Sequence, residues 1–301
     1  GMVLGTLACC AAGATMIYPS EGFEPDKTMH ALKSESCTAV HGVPTMFSAM
    51  LASSEFNGKP IKSLRTGIMA GSQCPEVLMR RVLYDLGCSE ITIAYGMTET
   101  SPISFQSDVN DPVDVRVSTV GRIQPHCEVK IVEDDGSTCA VGQTGELWTK
   151  GYLVMKGYWN DTEATQSSIE NGWMKTGDLA TIDNEGFCRI VGRKKDMVIR
   201  GGENIYPAEL EEFLTDQKGI LEAHVFGIPD EKFGEQLVAW IIVEEGATLD
   251  ETSIQNLCKN ALAYYKVPAI VRFVKEVPLT ATGKPQKFKM REIMLHKTKL
   301  F

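Results

Sequence analysis

Basic charge is the first thing this 301-residue chain lacks. It carries 30 Lys/Arg against 39 Asp/Glu, a net charge of -9 at pH 7, which argues against nucleic acid as its main partner. Paired cysteines are missing as well. The nine cysteines are an odd number, and none stands in a Cys-x-x-Cys pair beside further metal ligands, so neither a disulfide framework nor a zinc site is evident. They read as reduced core thiols of an intracellular compartment. Histidine is scarce, and His30, His41, His126, His224 and His296 show no ligand spacing. There is no Ser-His-Asp elbow, no Walker-type loop, no internal repeat and no low-complexity tract. The uncharged opening run Met2 to Tyr18 has no basic flank and is interrupted by Gly5 and Gly13, which counts against a membrane span or a signal peptide. It reads as a buried small-residue helix ending near Gly13, then a strand over Ala14–Tyr18, in a chain that opens inside a domain.

What is present is an ordinary folding composition: 43% apolar, 23% charged and 8% aromatic residues, enough to bury the cores of two or three folded units. The acidic average hides an asymmetry. Residues 266–301 hold nine Lys/Arg and two Asp/Glu. A basic terminal segment on an acidic body suits polyanionic small molecules such as ATP or CoA, although a solvated helix face gives the same pattern.

Up to about residue 110 the pattern alternates. Short apolar runs at Thr38–Val43, Thr66–Ala70 and Ile91–Ala94 are predicted as buried strands, and Thr45–Ala52 and Glu76–Leu86 as amphipathic helices between them. This is the grammar of a mainly parallel, helix-covered sheet, whose ligands lie at the carboxyl ends of strands. From about 118 to 193 the helical period disappears. Glu128–Val132, Gly145–Lys150 and Phe187–Val191 are predicted as strands, with turns at 134–136 and 183–186, giving an antiparallel unit expected to close into a small β-barrel. After Arg193 an α+β module follows. Pro207 opens a helix with Leu210, Phe213 and Leu214 inward. Strands are predicted at Ala223–Ile228, Leu237–Val243 and Ile270–Val274, and helices near Thr252–Ala263 and Phe288–His296.

Five short motifs fall along this pattern. In Tyr95-Gly96-Met97-Thr98-Glu99 the ring offers a stacking face for a purine and the glycine lets backbone approach. Thr98 can donate to a phosphate oxygen, and Glu99 can meet Mg²⁺, which prefers hard oxygens shared with phosphates. The plain reading is a turn after a strand. Thr176-Gly177-Asp178 sets a carboxylate after a glycine turn, suited to both hydroxyls of a ribose, or is only a surface turn. Gly192-Arg193-Lys194-Lys195-Asp196 marks a composition shift where a hinge or an inert linker belongs. Gly201-Gly202 precedes the helix opened by Pro207, as a close-approach backbone or a simple turn. Lys284, after Gly283, can bridge a carboxylate and an α-phosphate as negative charge develops; a lone Gly-Lys is more often a surface turn.

Taken in order, these motifs resemble the carboxyl-terminal half of the adenylate-forming enzymes of the acyl-CoA synthetase type. Segments Gly201–Glu209, Pro278–Lys289, Gly121–Ile123 and Val154–Trp159 look most like their mitochondrial medium-chain branch. The resemblance implies three parts: residues 1–117 as the second half of the large adenylation domain, 118–193 as the β-barrel subdomain, and 194–301 as a mobile α+β lid domain. It implies ATP, Mg²⁺ and CoA, a fatty-acid substrate, no nucleic acid, no transmembrane span and a mitochondrial-matrix location. By resemblance Gly71 and Ser72 flank the adenine with Tyr95, Gly96 and Met97, while Thr98 and Glu99 serve the phosphates and Mg²⁺. Asp178 and Arg193 grip the ribose, Lys195 is the hinge, Gly201 and Gly202 flank the pantetheine of CoA, Val43-Pro44-Thr45 walls the acyl pocket, and Lys284 is the catalytic lysine. The Ser/Thr/Gly-rich phosphate loop of that family is nowhere in these residues. The chain alone is therefore expected to behave as a fragment with weak or no ligase activity. A non-catalytic nucleotide-binding isoform and an aryl-acid or luciferase-like ligase are the alternatives.

Overall fold

A computed structural model describes residues 1–279 and 285–298, with side chains to residue 296. The described residues form a mixed α/β fold with three sheets, and the chain divides into two compact units. Residues 1–176 with 180–190 form the first, and 177–179 with 191–301 the second.

The first sheet contains β1 (Ala39–Gly42), β2 (Thr66–Ala70), β3 (Glu90–Gly96), β4 (Ile103–Gln106) and β5 (Arg122–Ile123), in that spatial order. β1, β2 and β3 pair in parallel, with Ala70 opposite Ala94, and β4 and β5 return antiparallel. Helices Pro25–Ser34, Pro44–Ala52 and Glu76–Tyr84 accompany the parallel strands. Two of the three open on a proline at a first-turn position, where the missing N–H costs nothing. Met29, Phe47, Met69, Met79, Leu86 and Ile91 make their shared core. Ile91, Thr92, Ile93 and Ala94 are all buried, as a strand covered on both faces requires.

The second sheet holds β6 (Cys127–Val132), β7 (Gly145–Gly151), β8 (Ile169–Glu170), β9 (Trp173–Ile182) and β10 (Cys188–Arg193), ordered β10-β9-β7-β6 with β8 on β9. Among the described residues the expected barrel is not closed: β10 and β6 stand at opposite ends of the strand order. Closure needs enough tilted strands to bring first and last together, and one of these five is only a two-residue ribbon.

In the second unit β11 (Val198–Arg200), β12 (Glu203–Ile205), β13 (Ile220–Asp230), β14 (Gly234–Val243) and β15 (Ile270–Phe273) form the third sheet, ordered β12-β11-β14-β13. β11 meets β14 only at Arg200 and Gly234, which leaves Val238–Ile241 for the parallel strand β15. The pleat sorts its residues by face. Val225, Leu237, Ala239 and Ile241 join Leu210, Leu214 and Ile254 in one core. Phe226, Ile228, Val238 and Trp240 pack with Met290 and Met294 of the last helix in another.

The opening run departs from expectation. A π-helix over Met2–Leu7 continues as an α-helix to Ala12 and stops at Gly13, whose φ is 65°, but no residue in it is buried. Ala14–Tyr18 is not a strand. A strand needs a ladder partner for its N–H and C=O groups, and none lies beside this one among the described residues. No helix among the described residues is long and apolar enough to cross a membrane.

Candidate active site

In the first unit β2 and β3 run side by side and end together, so Gly71-Ser72 and the turn after Tyr95 leave the sheet from neighbouring strands. β3 is buried from Ile91 to Ala94 and then delivers Tyr95, half-buried and edge-on to Phe105 with ring centroids 6.3 Å apart. Gly96 is required by space. A Cβ there would lie 1.7 Å from the Pro102 carbonyl oxygen and 2.9 Å from Ile103 Cα, because the chain doubles back into β4 directly against it. A short 3₁₀ turn spans Thr98–Thr100. The buried Thr100 hydroxyl closes it, accepting from the Met97 N–H at 3.1 Å and facing the carbonyls of Met97 and Pro102. With Thr100 turned inward, Thr98 is exposed and Glu99 half-buried.

Glu99 is held at both ends. Its carbonyl accepts the Met155 N–H at 2.9 Å, and its carboxylate Oε1 accepts the Tyr158 hydroxyl at 2.9 Å. Burial, and then the hydrogen bond and charge of Glu99, push the Tyr158 phenol above its ordinary pKa. No signal in the sequence gives Tyr158 a role. Its motif, Val154–Trp159, was visible, but nothing in it points to a partner 59 residues earlier.

Among the described residues no three His, Cys, Asp or Glu side chains gather to hold a metal ion. Glu99 with the neighbouring Thr98 hydroxyl nonetheless fits Mg²⁺ carried by a nucleotide. Such an ion keeps waters and phosphate oxygens and asks the protein for only one or two carboxylates.

Thr176-Gly177-Asp178 is not the expected turn. It lies inside β9, where Gly177 has a φ of 70° and kinks the strand, a conformation glycine adopts without steric cost. Asp178 is 9% exposed, and the Arg193 Nε at the end of β10 lies 3.2 Å from its Oδ1. The turn after β9 sets that pairing: Asp183 N–H bonds to the Phe187 carbonyl and Gly186 N–H to the Asp183 carbonyl, each at 3.1 Å. A carboxylate paired with a guanidinium is an acceptor of the kind that ribose hydroxyls require.

Lys195 sits exposed in a 3₁₀ turn over Lys194–Asp196. Gly201 and Gly202, with φ of 60° and 89°, form the turn joining β11 to β12 rather than leading directly into the helix at Pro207. Lys284 lies outside the described residues.

The family model for AMP-binding enzymes matches residues 1–159, and the model for the AMP-binding enzyme C-terminal domain matches residues 209–284. The putative acyl-CoA synthetase YngI of Bacillus subtilis is 49% identical over 296 residues, covering 97% of this chain and 53% of that protein. The mitochondrial medium-chain acyl-CoA ligase ACSF2 of Danio rerio is 44% identical over 294 residues, covering 97% and 48%. Among solved structures, ATP-bound MatB from Rhodopseudomonas palustris matches with a TM-score of 0.89 at 31% identity, covering 97% of this chain and 57% of that one. The o-succinylbenzoate CoA synthetase MenE of Bacillus subtilis, in complex with its acyl-adenylate intermediate, matches with a TM-score of 0.83 at 31% identity, covering 95% and 57%. The chain spans about half the length of the curated relatives it matches. With one family model over more than half the residues and its companion over most of the second unit, the chain belongs to the AMP-binding enzyme family.

Proposed function

We propose that the protein carrying this chain is an ATP-dependent acyl-CoA synthetase acting on fatty acids of medium length. The observation that carries the reading is the turn at the end of β3, which presents the Thr98 hydroxyl and a held Glu99 carboxylate where an open parallel sheet binds its ligand. The two steps balance simply. A substrate carboxylate oxygen attacks the α-phosphorus of ATP and pyrophosphate leaves, forming the acyl-adenylate. The CoA sulfur then attacks the acyl carbonyl carbon, its proton is lost to solvent or base, and AMP leaves with the bond electrons.

Each residue has a task in this scheme. Gly71, Ser72, Gly96 and Met97 border the adenine through backbone, and Tyr95 offers it a ring face. Thr98 donates to a phosphate oxygen. Glu99 would hold the Mg²⁺ that accompanies the nucleotide and neutralises phosphate charge. Asp178, oriented by Arg193, accepts the ribose hydroxyls. Lys284 bridges the acyl carboxylate and the α-phosphate as negative charge develops there. Gly201 and Gly202 admit the pantetheine arm, and Lys195 is the pivot of residues 194–301 between the two steps. We place residues 1–117, 118–193 and 194–301 as three functional parts on the same grounds. The names of the ACSF2 relatives support a mitochondrial site of action, while the Bacillus subtilis relative ties the chemistry to no organelle.

ATP–pyrophosphate exchange by the full-length protein, with straight-chain acids of increasing length and aromatic acids side by side, tests the reading. Exchange peaking with medium-chain acids is expected. Exchange with aromatic acids alone would transfer the assignment to an aryl-acid ligase, and AMP binding without exchange would leave a nucleotide-binding module. Asp178→Asn is expected to weaken AMP binding by about tenfold, the worth of a hydrogen bond to a charged group.

A further inference from the structure

The scheme above leaves Tyr158 unused, yet the fold takes trouble to place it. Its backbone N–H bonds to Thr165 Oγ1 at 2.9 Å. Thr165 sits on the short helix Thr162–Ser168, whose start is capped by Asp161 Oδ1 accepting the Ala164 N–H at 2.9 Å. The preceding residue has to be glycine: at Gly157 φ is 154°, and a Cβ would lie 2.8 Å from Thr165 Cγ2. Three residues before Tyr158, the Met155 N–H bonds to the Glu99 carbonyl. The segment 155–158 is thus pinned to the helix on one side and to the backbone of Glu99 on the other, and the phenol crosses to Glu99 Oε1 at 2.9 Å.

We infer that Tyr158 is a positioning residue, whose hydroxyl holds the Glu99 carboxylate in the one orientation that meets a nucleotide-borne divalent cation. The inference rests on the reading of Glu99 as the carboxylate for that cation. A glutamate side chain has three rotatable bonds, and a carboxylate left free on them must be ordered at the moment of binding. The phenol orders it beforehand. It occupies one lone pair of Oε1 and leaves Oε2 without a hydrogen bond among the described residues, so a cation can be accepted without displacing the tyrosine. Preorganisation of this kind appears as affinity for the ion and not as affinity for the nucleotide base.

Mn²⁺ binding to the full-length protein, followed by electron paramagnetic resonance at saturating ATP, provides the test, with ATP binding in EDTA measured beside it. Tyr158→Phe is expected to weaken Mn²⁺ by about tenfold, the equivalent of one hydrogen bond to a charged group, and to leave ATP binding in EDTA and the melting temperature unchanged. Thr165→Val, which keeps phenol and carboxylate but frees the backbone of Tyr158, is expected to weaken Mn²⁺ in the same direction by a smaller factor. If Tyr158→Phe does not fold, that second variant decides. Unchanged Mn²⁺ affinity in these variants, with a clear loss in Glu99→Gln, would overturn the inference and leave the reading of Glu99 standing. Unchanged affinity in Glu99→Gln would sink the reading itself. A Tyr158→Phe variant that loses ATP binding in EDTA to the same extent would show a general structural role and overturn the inference as well.

Discussion

Replacing Gly96 with alanine should be the most disruptive single-methyl change in the nucleotide-facing turn. The added Cβ would stand 1.7 Å from the Pro102 oxygen, 2.7 Å from its carbon and 2.9 Å from Ile103 Cα. All three are backbone atoms, so no rotamer change relieves the contact. Ordinary carbon contacts begin near 3.5 Å, so the β3–β4 turn would have to open by roughly 1.5 Å or more. Hydrogen bonds of 2.7–3.2 Å do not survive such a displacement. Those at stake are the bonds of the Thr100 hydroxyl to Met97 and Pro102 and the ladder where Gly96 faces Ile103. Two or three such bonds at about 1 kcal/mol each give a loss of about 3 kcal/mol, and with a urea slope of about 2 kcal/mol per molar the midpoint of the first unit should fall by about 1.5 M. Gly186→Ala is the control. Its φ is 82° but nothing lies within 4 Å of the new Cβ, so only the left-handed backbone cost of about 1–2 kcal/mol applies. A Gly96→Ala midpoint within 0.3 M (roughly 0.6 kcal/mol on the same slope) of the parent, or a smaller loss than at Gly186, would refute the steric argument.

Three further outcomes follow from the cores. Burial pushes the thiols of Cys74, Cys88 and Cys188 up to about 12 and that of Cys258 to about 11, from 9.0. The folded state therefore holds these protons when the unfolded chain releases them. Their contribution is intact below pH 9 and is lost as pH rises from there towards 12, with a limiting slope of about 1.4 kcal/mol per pH unit per thiol. Urea midpoints should fall between pH 8 and pH 10; constant midpoints would contradict this. At pH 8 a thiol reagent should label the exposed Cys10 at once and those four only on unfolding, and rapid labelling of Cys88 in the native state would be the contrary result. Leu210→Ala, at a fully buried position between the helix Pro207–Thr215 and the third sheet, should cost about 2–5 kcal/mol. A loss under 1 kcal/mol (about half the lower bound of that range) would mean the site collapses around the smaller side chain.

Local signals carried most of the element assignments. Proline at the first turn placed the helix at Pro207, amphipathic spacing placed the one predicted over Thr45–Ala52, and short, largely apolar runs placed β2 and β3. The strand β9 was not legible, because Lys175-Thr176-Gly177-Asp178 interrupts its apolar pattern and looks like a turn. It becomes a strand by lying between β7 and β10, where its neighbours supply the hydrogen bonds that its own sequence does not advertise. The opening run misled in the opposite way. Apolar and uncharged, it looked buried, but burial depends on a covering layer and not on composition.

The candidate site divides along the same line. Tyr95-Gly96-Met97-Thr98-Glu99 could be read from the sequence, since a strand, a glycine and a hydroxyl-carboxylate pair work over five consecutive residues. That Glu99 rather than Thr100 remains available follows from the Thr100 hydroxyl turning inward to close the turn, which five letters do not reveal. The nearness of Asp178 to Arg193 depends on the turn at 183–186 and on the kink at Gly177. The hydrogen bond from Tyr158 to Glu99 depends on everything that folds the chain across a separation of 59 residues. Residue type and short-range spacing settle which chemistry is on offer, because they act through bonds and neighbours a few residues apart. Which groups meet is decided by tertiary packing alone, since only a closed backbone brings distant side chains within the 3 Å or so over which a hydrogen bond acts.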